Sequence, residues 1–117
     1  MRTKPFVHEA VIRLMPGVDP GAVGAAVTTE LSGSVEHEGG CRWPHNNALE
    51  PHGDAAMFRT LFVAPESEER EVRIRIRLAL RSSEDWVVNS DRTRSLQPDE
   101  RGLAKHLAEK PANLPLA

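Results

Sequence analysis

Residues 65–81 read P-E-S-E-E-R-E-V-R-I-R-I-R-L-A-L-R. From Val72 to Leu80 apolar residues alternate with arginines, which is the period of a strand. The first half carries the chemistry of a helix start. Pro65 stands near the first helical position, four glutamates fill the first turns and arginines follow, as the helix dipole favours. Glu69/Arg73 and Glu71/Arg75 are i,i+4 pairs with the acid first, the favourable order. On a helix, Val72, Ile76, Ala79 and Leu80 form one apolar stripe, while Ile74 and Leu78 fall on the opposite side. A hairpin through the same residues would need a highly charged loop of about six or seven residues, longer than hairpins favour. The reading adopted is a helix over 66–81. Its alternative is a strand over Val72–Leu80.

Around this segment the pattern changes period. Phe6 to Leu14 alternates, with Phe6, His8, Ala10, Ile12 and Leu14 on one face of a half-buried strand. Met15-Pro16-Gly17-Val18 breaks it. Asp19 and Pro20 suit an N-cap and first helical position, so a helix is expected over about 20–31. Val23, Ala26, Val27 and Leu31 form its apolar stripe, and Gly33 stops it. Ser34–Glu38 reads as a short strand. From Gly39-Gly40 a long loop is expected through Pro44, Asn46, Asn47, Pro51 and Gly53. Met57–Ala64 is apolar and aromatic and reads as a strand. Asp85–Asn89 reads as another, followed by a polar loop that contains Arg92 and Arg94. A last helix is expected over 98–109, with Leu103, Ala104, Leu107 and Ala108 on one side and Pro111 beyond its end.

The order is strand, helix, strand, strand, helix, strand, helix. It implies an α+β domain over residues 1–110, with a loosely held tail over 111–117. The architecture expected is an antiparallel sheet with helices on one face, the ferredoxin-like split β-α-β arrangement, plus a C-terminal helix. Ile74 and Leu78 then pack on that helix or on a second copy of the chain, which makes a homodimer an expectation. Such a fold hosts many functions and selects none.

Composition narrows the class. Aromatic residues are 4% of the 117 and hydrophobic residues 39%, so the core is aliphatic, with two tryptophans and three phenylalanines as its bulky pieces. No apolar run reaches the length of a membrane span, and the positive start M-R-T-K-P lacks the apolar stretch of a secretory signal. One cysteine cannot form an internal disulfide. A reducing cytoplasm is the compartment expected. The formal net charge of −2 gives no long-range attraction to nucleic acid or to an anionic membrane.

Specific chemistry concentrates in residues 36–52, E-H-E-G-G-C-R-W-P-H-N-N-A-L-E-P-H. His37, Cys41 and His45 stand at even spacing on a Gly-rich turn. A thiolate with imidazoles is a zinc-type donor set, and copper or nickel would accept it too. His8 is the fourth ligand expected, because it projects from the apolar face of the first strand, where an unpaired imidazole is costly. His52, Glu36, Glu38 and Asp54 are the other candidates. Two readings compete with the metal. In one, Cys41 is a nucleophile beside a histidine that Asn46 or Asn47 orients. In the other, Cys41 and Trp43 fill the core and the histidines bond loop carbonyls. Arg73, Arg77 and Arg81 share one helix face and suit an anion; a solvated face balanced by Glu66, Glu68, Glu69 and Glu71 is the preferred account. His106 reads as an exposed helix residue.

The stretches E-H-E-G-G-C-R-W-P-H-N-N and F-R-T-L-F-V-A-P-E resemble a group of small uncharacterised proteins of high-GC bacteria that share an E-H-E-G-x-C-x-W-P-H-N-N motif. The resemblance covers most of the chain. It implies a helix after Phe62-Val63-Ala64-Pro65, and it implies no activity and no role for any residue. The function expected is a small binding domain, with one zinc ion on His8, His37, Cys41 and His45. A Cys/His-dependent enzyme and a metal-free interaction module are the alternatives.

Overall fold

A computed structural model describes residues 2–32 and 42–109. Its elements run β1 (Thr3–Leu14), α1 (Gly21–Ser32), β2 (His45–His52), β3 (Ala55–Pro65), α2 (Glu69–Arg81), β4 (Trp86–Arg94) and α3 (Arg101–Ala108). Short 3-10 turns, Glu66–Glu68 and Pro98–Glu100, lead into α2 and α3. The four strands form one sheet in the order β2-β3-β1-β4, and every neighbouring pair is antiparallel. Among the described residues no helix is long and apolar enough to cross a membrane.

The deciding segment is helical. Val72, Ile76, Ala79 and Leu80 are all buried, and both i,i+4 pairs form, Arg73–Glu69 at 2.8 Å and Arg75–Glu71 at 3.0 Å. The helix stripe wins over the strand alternation because one face then buries four apolar side chains, each contributing roughly 1.5–3 kcal/mol when fully covered. At its far end the Trp86 indole N–H donates to the Leu80 carbonyl at 2.7 Å and satisfies one of the last orphan acceptors. The start of α1 also follows its sequence: the Gly21 amide donates to the Asp19 carboxylate at 2.9 Å.

Alternation along β1 divides the molecule into two layers of side chains. Ala10 and Ile12 face α1 and α2, in a core with Val23, Val27, Phe58, Phe62, Val72, Ile76 and Leu80. Val7 faces the other way, where it packs with Leu61, Val63, Ala104 and Leu107. Helices α1 and α2 therefore lie on one face of the sheet and α3 on the opposite face. The two helices expected on one face are α1 and α2; the added helix α3 lies across the sheet from Ile74 and Leu78 and does not cover them, which corrects the expectation that they pack on it. They are exposed.

Two loops of the sequence reading are strands. Residues 45–52, expected to be part of a loop, form β2 against β3. Asn46, Asn47 and Pro51 are turn residues by local preference, but tertiary pairing overrides them. Pro51 is tolerated because β2 is an edge strand. Gly53, at φ 65, supplies the positive φ that the two-residue turn to Ala55 demands. In β4 the strand continues five residues past Asn89, to Arg94. Its register on β1 shifts between Val11 and Ile12, so Asn89 is the extra residue of a bulge. Trp86 and Val88 face α2 before the bulge, and Asp91 does so after it. The expected strand at Ser34–Glu38 and the tail 111–117 lie outside the described residues.

Candidate functional site

His8 is on the helix-facing side of β1, fully buried. Arg73 reaches down from α2, and its Nη1 donates to the Val7 carbonyl at 2.9 Å and to His8 Nδ1 at 3.1 Å. A guanidinium only donates, so Nδ1 accepts and the proton sits on Nε2. Nε2 then donates to the Asp91 carboxylate at 2.8 Å. Burial, and secondarily the nearby guanidiniums, lower the His8 pKa against the raising effect of Asp91, so the ring is held neutral. Asp91 also accepts from Arg77 at 2.8 Å and Arg81 at 3.2 Å. Burial pushes its carboxyl up, but the hydrogen bonds from Arg77, His8 and Arg81 outweigh that and bring it to about 2. The arginine face of α2 thus has an anion built into the chain, and it is Asp91 rather than the glutamates of α2. Only Arg73 of the three pairs with one of them, Glu69.

His45 begins β2 beneath α1. Its Nδ1 donates to the Trp43 carbonyl at 2.9 Å, and its Nε2 is 2.9 Å from the Thr28 hydroxyl. Asn47 extends the chain: its Nδ2 donates to Thr28 Oγ1 and to the Gly24 carbonyl, both at 3.1 Å, while its Oδ1 accepts from Thr60 at 2.8 Å. Gly24 lies against this side chain: a Cβ there would stand 3.4 Å from Asn47, an ordinary contact. Asn46 points to the other face, where it accepts from Arg59 at 3.3 Å. Neither asparagine makes a hydrogen bond to His45 here; a backbone carbonyl orients that ring.

Of the expected ligand set, His37 and Cys41 lie outside the described residues, as do Glu36 and Glu38. His8 and His45 are two strands and two residues apart, about 12 Å between Cα atoms. His8 turns away, toward β4. His52 and Asp54 are exposed beside the β2–β3 turn. Among the described residues no three His, Cys, Asp or Glu side chains come together as a metal would require. Trp43 is the core filler one reading expected, only 2% exposed, with its indole N–H donating to Glu68 at 2.8 Å. His106 is exposed, as expected.

The outer face of the sheet carries a second charged cluster that the sequence reading did not identify. Helix α3 covers Val7, Leu61 and Val63 but leaves the Glu9–Val11 half of this face open. Glu9 accepts from Arg92 Nε at 3.0 Å and from Arg94 Nε. Arg94 also grips Glu100 with two parallel bonds, 2.8 and 2.9 Å, and Arg59 approaches the same carboxylate at 3.6 Å. Glu100 further accepts from the Gln97 amide at 3.0 Å, closing the cap of the last helical segment. The hydrogen bonds from Arg94 hold the Glu100 carboxyl down at about 2 and raise the Arg94 guanidinium. Two clefts open here. One, of 270 Å³, is lined by Glu9, Val11, His52, Met57, Ser90 and Arg92. The other, of 360 Å³, shares Glu9 and Met57 and adds Glu50, Arg59, Arg94 and Asp99. The two clefts are neighbours and share Glu9 and Met57 in their walls. A comparison with protein-family models, curated proteins and solved structures finds no match to this chain.

Proposed function

We propose that the chain is a binding domain rather than an enzyme, built on the split β-α-β, ferredoxin-like plan, with its ligand on the open half of the outer sheet face. The strand order β2-β3-β1-β4, with a helix after β1 and after β3, supports the plan. The observation that carries the functional reading is the pair of neighbouring clefts that share Glu9 and Met57. Their volumes, 270 and 360 Å³, are at the small end of ligand sites. General acid–base catalysis wants a group that titrates near the working pH. Two carboxylates here are instead engaged in ion pairs, Glu9 with Arg92 and Arg94 and Glu100 with Arg94, and the Glu100 carboxyl is held down at about 2.

The walls define the ligand. Met57 and Val11 offer apolar contact. Arg92, with 70% of its side chain exposed, offers a guanidinium, while Glu50 and Asp99 offer carboxylates outside the ion-pair network of the described residues. An amphoteric molecule of amino-acid to dipeptide size, with an apolar body, meets all three. Equilibrium binding to a panel of amino acids and dipeptides tests this. Binding by members with an apolar side chain is expected, weakened about tenfold or more in Arg92→Ala. Binding to no member of the panel would overturn the ligand class.

A second reading has one specific support. Metal-ligating imidazoles usually donate their other ring N–H to a carbonyl or carboxylate, and His45 Nδ1 donates to the Trp43 carbonyl. His37, Cys41 and His45 would then hold one zinc-type ion, which requires His45 Nε2 to exchange the Thr28 hydroxyl, 2.9 Å away, for the metal; His8 is excluded because it is fully buried with both nitrogens bonded inside the core. Stoichiometric metal in untagged protein, and a melting temperature lowered by a chelator, are the expected results of that reading. Metal-free protein indifferent to chelators would end it.

A further inference from the structure

Helix α2 presents a face that neither the core nor the two clefts use. Ile74 is 45% exposed and Leu78 60%, one turn apart on the crest opposite Val72, Ile76 and Leu80. The two flanks of this crest differ in charge. By helical spacing the β4 flank takes Arg70, which also edges the cleft of Glu30, Glu71 and Arg75, together with Arg77 and Arg81. The last two share the single carboxylate of Asp91, and Arg70 is exposed with no ion-pair partner among the described residues. Toward α1 stands Arg75, set between two carboxylates, Glu71 at 3.0 Å and Glu30 at 3.5 Å. One flank thus has three guanidiniums to one carboxylate, and the other has one to two.

We propose that this crest is an interface between two copies of the chain, with the two α2 helices parallel about a two-fold axis that runs along them. The separation of charge selects both the occupant and the orientation. An axis along the helices sets the basic flank of each copy against the acidic flank of the other at the same height. Ile74 then meets Ile74, Leu78 meets Leu78, and Arg70 of each copy meets Glu71 of the other. An antiparallel pair has its axis across the helices, opposes like flanks, and brings Arg70 against Arg81. The whole face carries four guanidiniums and three carboxylates, so a nucleic acid or a strongly acidic segment gains little net attraction there. Two aliphatic residues per copy make a small contact, and the association belongs to the weak, transient class.

Sedimentation equilibrium of the full chain up to about 1 mM is the test, since a contact of this size sits near the weak end of the affinity scale. The average mass is expected to rise with concentration from 12.9 kDa toward twice that value. Leu78→Asp is expected to hold it at the monomer. Arg70→Glu and Glu71→Arg should each weaken association about tenfold or more, and the double exchange R70E/E71R should restore it, the pattern of a direct charge pair. Urea midpoints of the variants check that each still folds. A constant monomer mass to about 1 mM overturns the proposal. So does an Arg70→Glu variant that associates more strongly, because that is the signature of the antiparallel pair, and so does a double exchange that fails to restore.

Discussion

Replacing Asp91 with alanine is expected to lower stability by about 3 kcal/mol, read as a shift of the urea midpoint at constant m-value. The carboxylate is the common acceptor for His8, Arg77 and Arg81. Its removal strands a buried imidazole N–H, which alone costs about 1–3 kcal/mol, and leaves two guanidiniums on α2 without their shared anion. Asp91→Asn keeps an acceptor and loses the charge, so it should fall between. The same network sets the acid limit of the fold. The His8 pKa is lowered in the folded chain, so below pH 6.5 the unfolded chain binds a proton that the folded chain does not, and stability falls as pH drops from there. Asp91 follows at lower pH. Its carboxyl is depressed from 3.8 to about 2, so its contribution is present above pH 3.8 and is lost as pH falls through about 2. In Asp91→Ala the second, acidic part of this slope should be shallower.

Truncating Trp43 to alanine should cost about 4 kcal/mol, the range found for removing a large buried aromatic ring. The indole is buried and packs into the core with Val27, Leu31 and Phe62. Its N–H donates to Glu68 at 2.8 Å, and the Arg42 guanidinium stands 4.4 Å from the ring centre. Trp43→Phe keeps most of the apolar volume and loses the donor, so it should recover more than half of the loss. Denaturant unfolding of the two variants separates packing from the hydrogen bond. If both variants unfolded at the wild-type midpoint, Trp43 would not be the piece that ties residues 42–45 to the core.

Much of the architecture was legible because the decisive signals are local. The acids after Pro65, the stripe Val72, Ile76, Ala79 and Leu80, and the Asp19-Pro20 start each specify their element within one or two helical turns. The signals that failed are non-local. Nothing in H-N-N-A-L-E-P-H says strand: Asn47 faces the core only because Gly24, Thr28 and Thr60 satisfy its amide. The bulge at Asn89 changes the phase of β4, so the inward pattern Trp86, Val88 does not run on to Asp91 with period two. Asp91 therefore looked like part of a polar loop, and its role under α2 was hidden. The outer cluster was hidden for the same reason. Glu9 and Arg92 are 83 residues apart in the chain and meet only because β1 and β4 pair. The side of the sheet on which α3 packs was likewise not written in its own amphipathic pattern, since either face of the sheet offers apolar residues. His8 was expected to find its partner in a metal, because an unpaired imidazole on an apolar face is costly. Its partners are Asp91 and Arg73.

Ligand binding on the open half of the outer sheet face can be read from a map of backbone amide shifts. Isotope-labelled protein is titrated with the amino acids and dipeptides of the binding panel, and the residues whose amides move are assigned. Progressive, saturable shifts are expected, centred on Glu9, Val11, Met57 and Arg92 and spreading to Glu50 and Asp99, with α2 and Thr28 unmoved. Shifts confined to the α2 crest or to residues 42–47, with the Glu9 and Met57 clefts silent, would rule out a ligand site on this face.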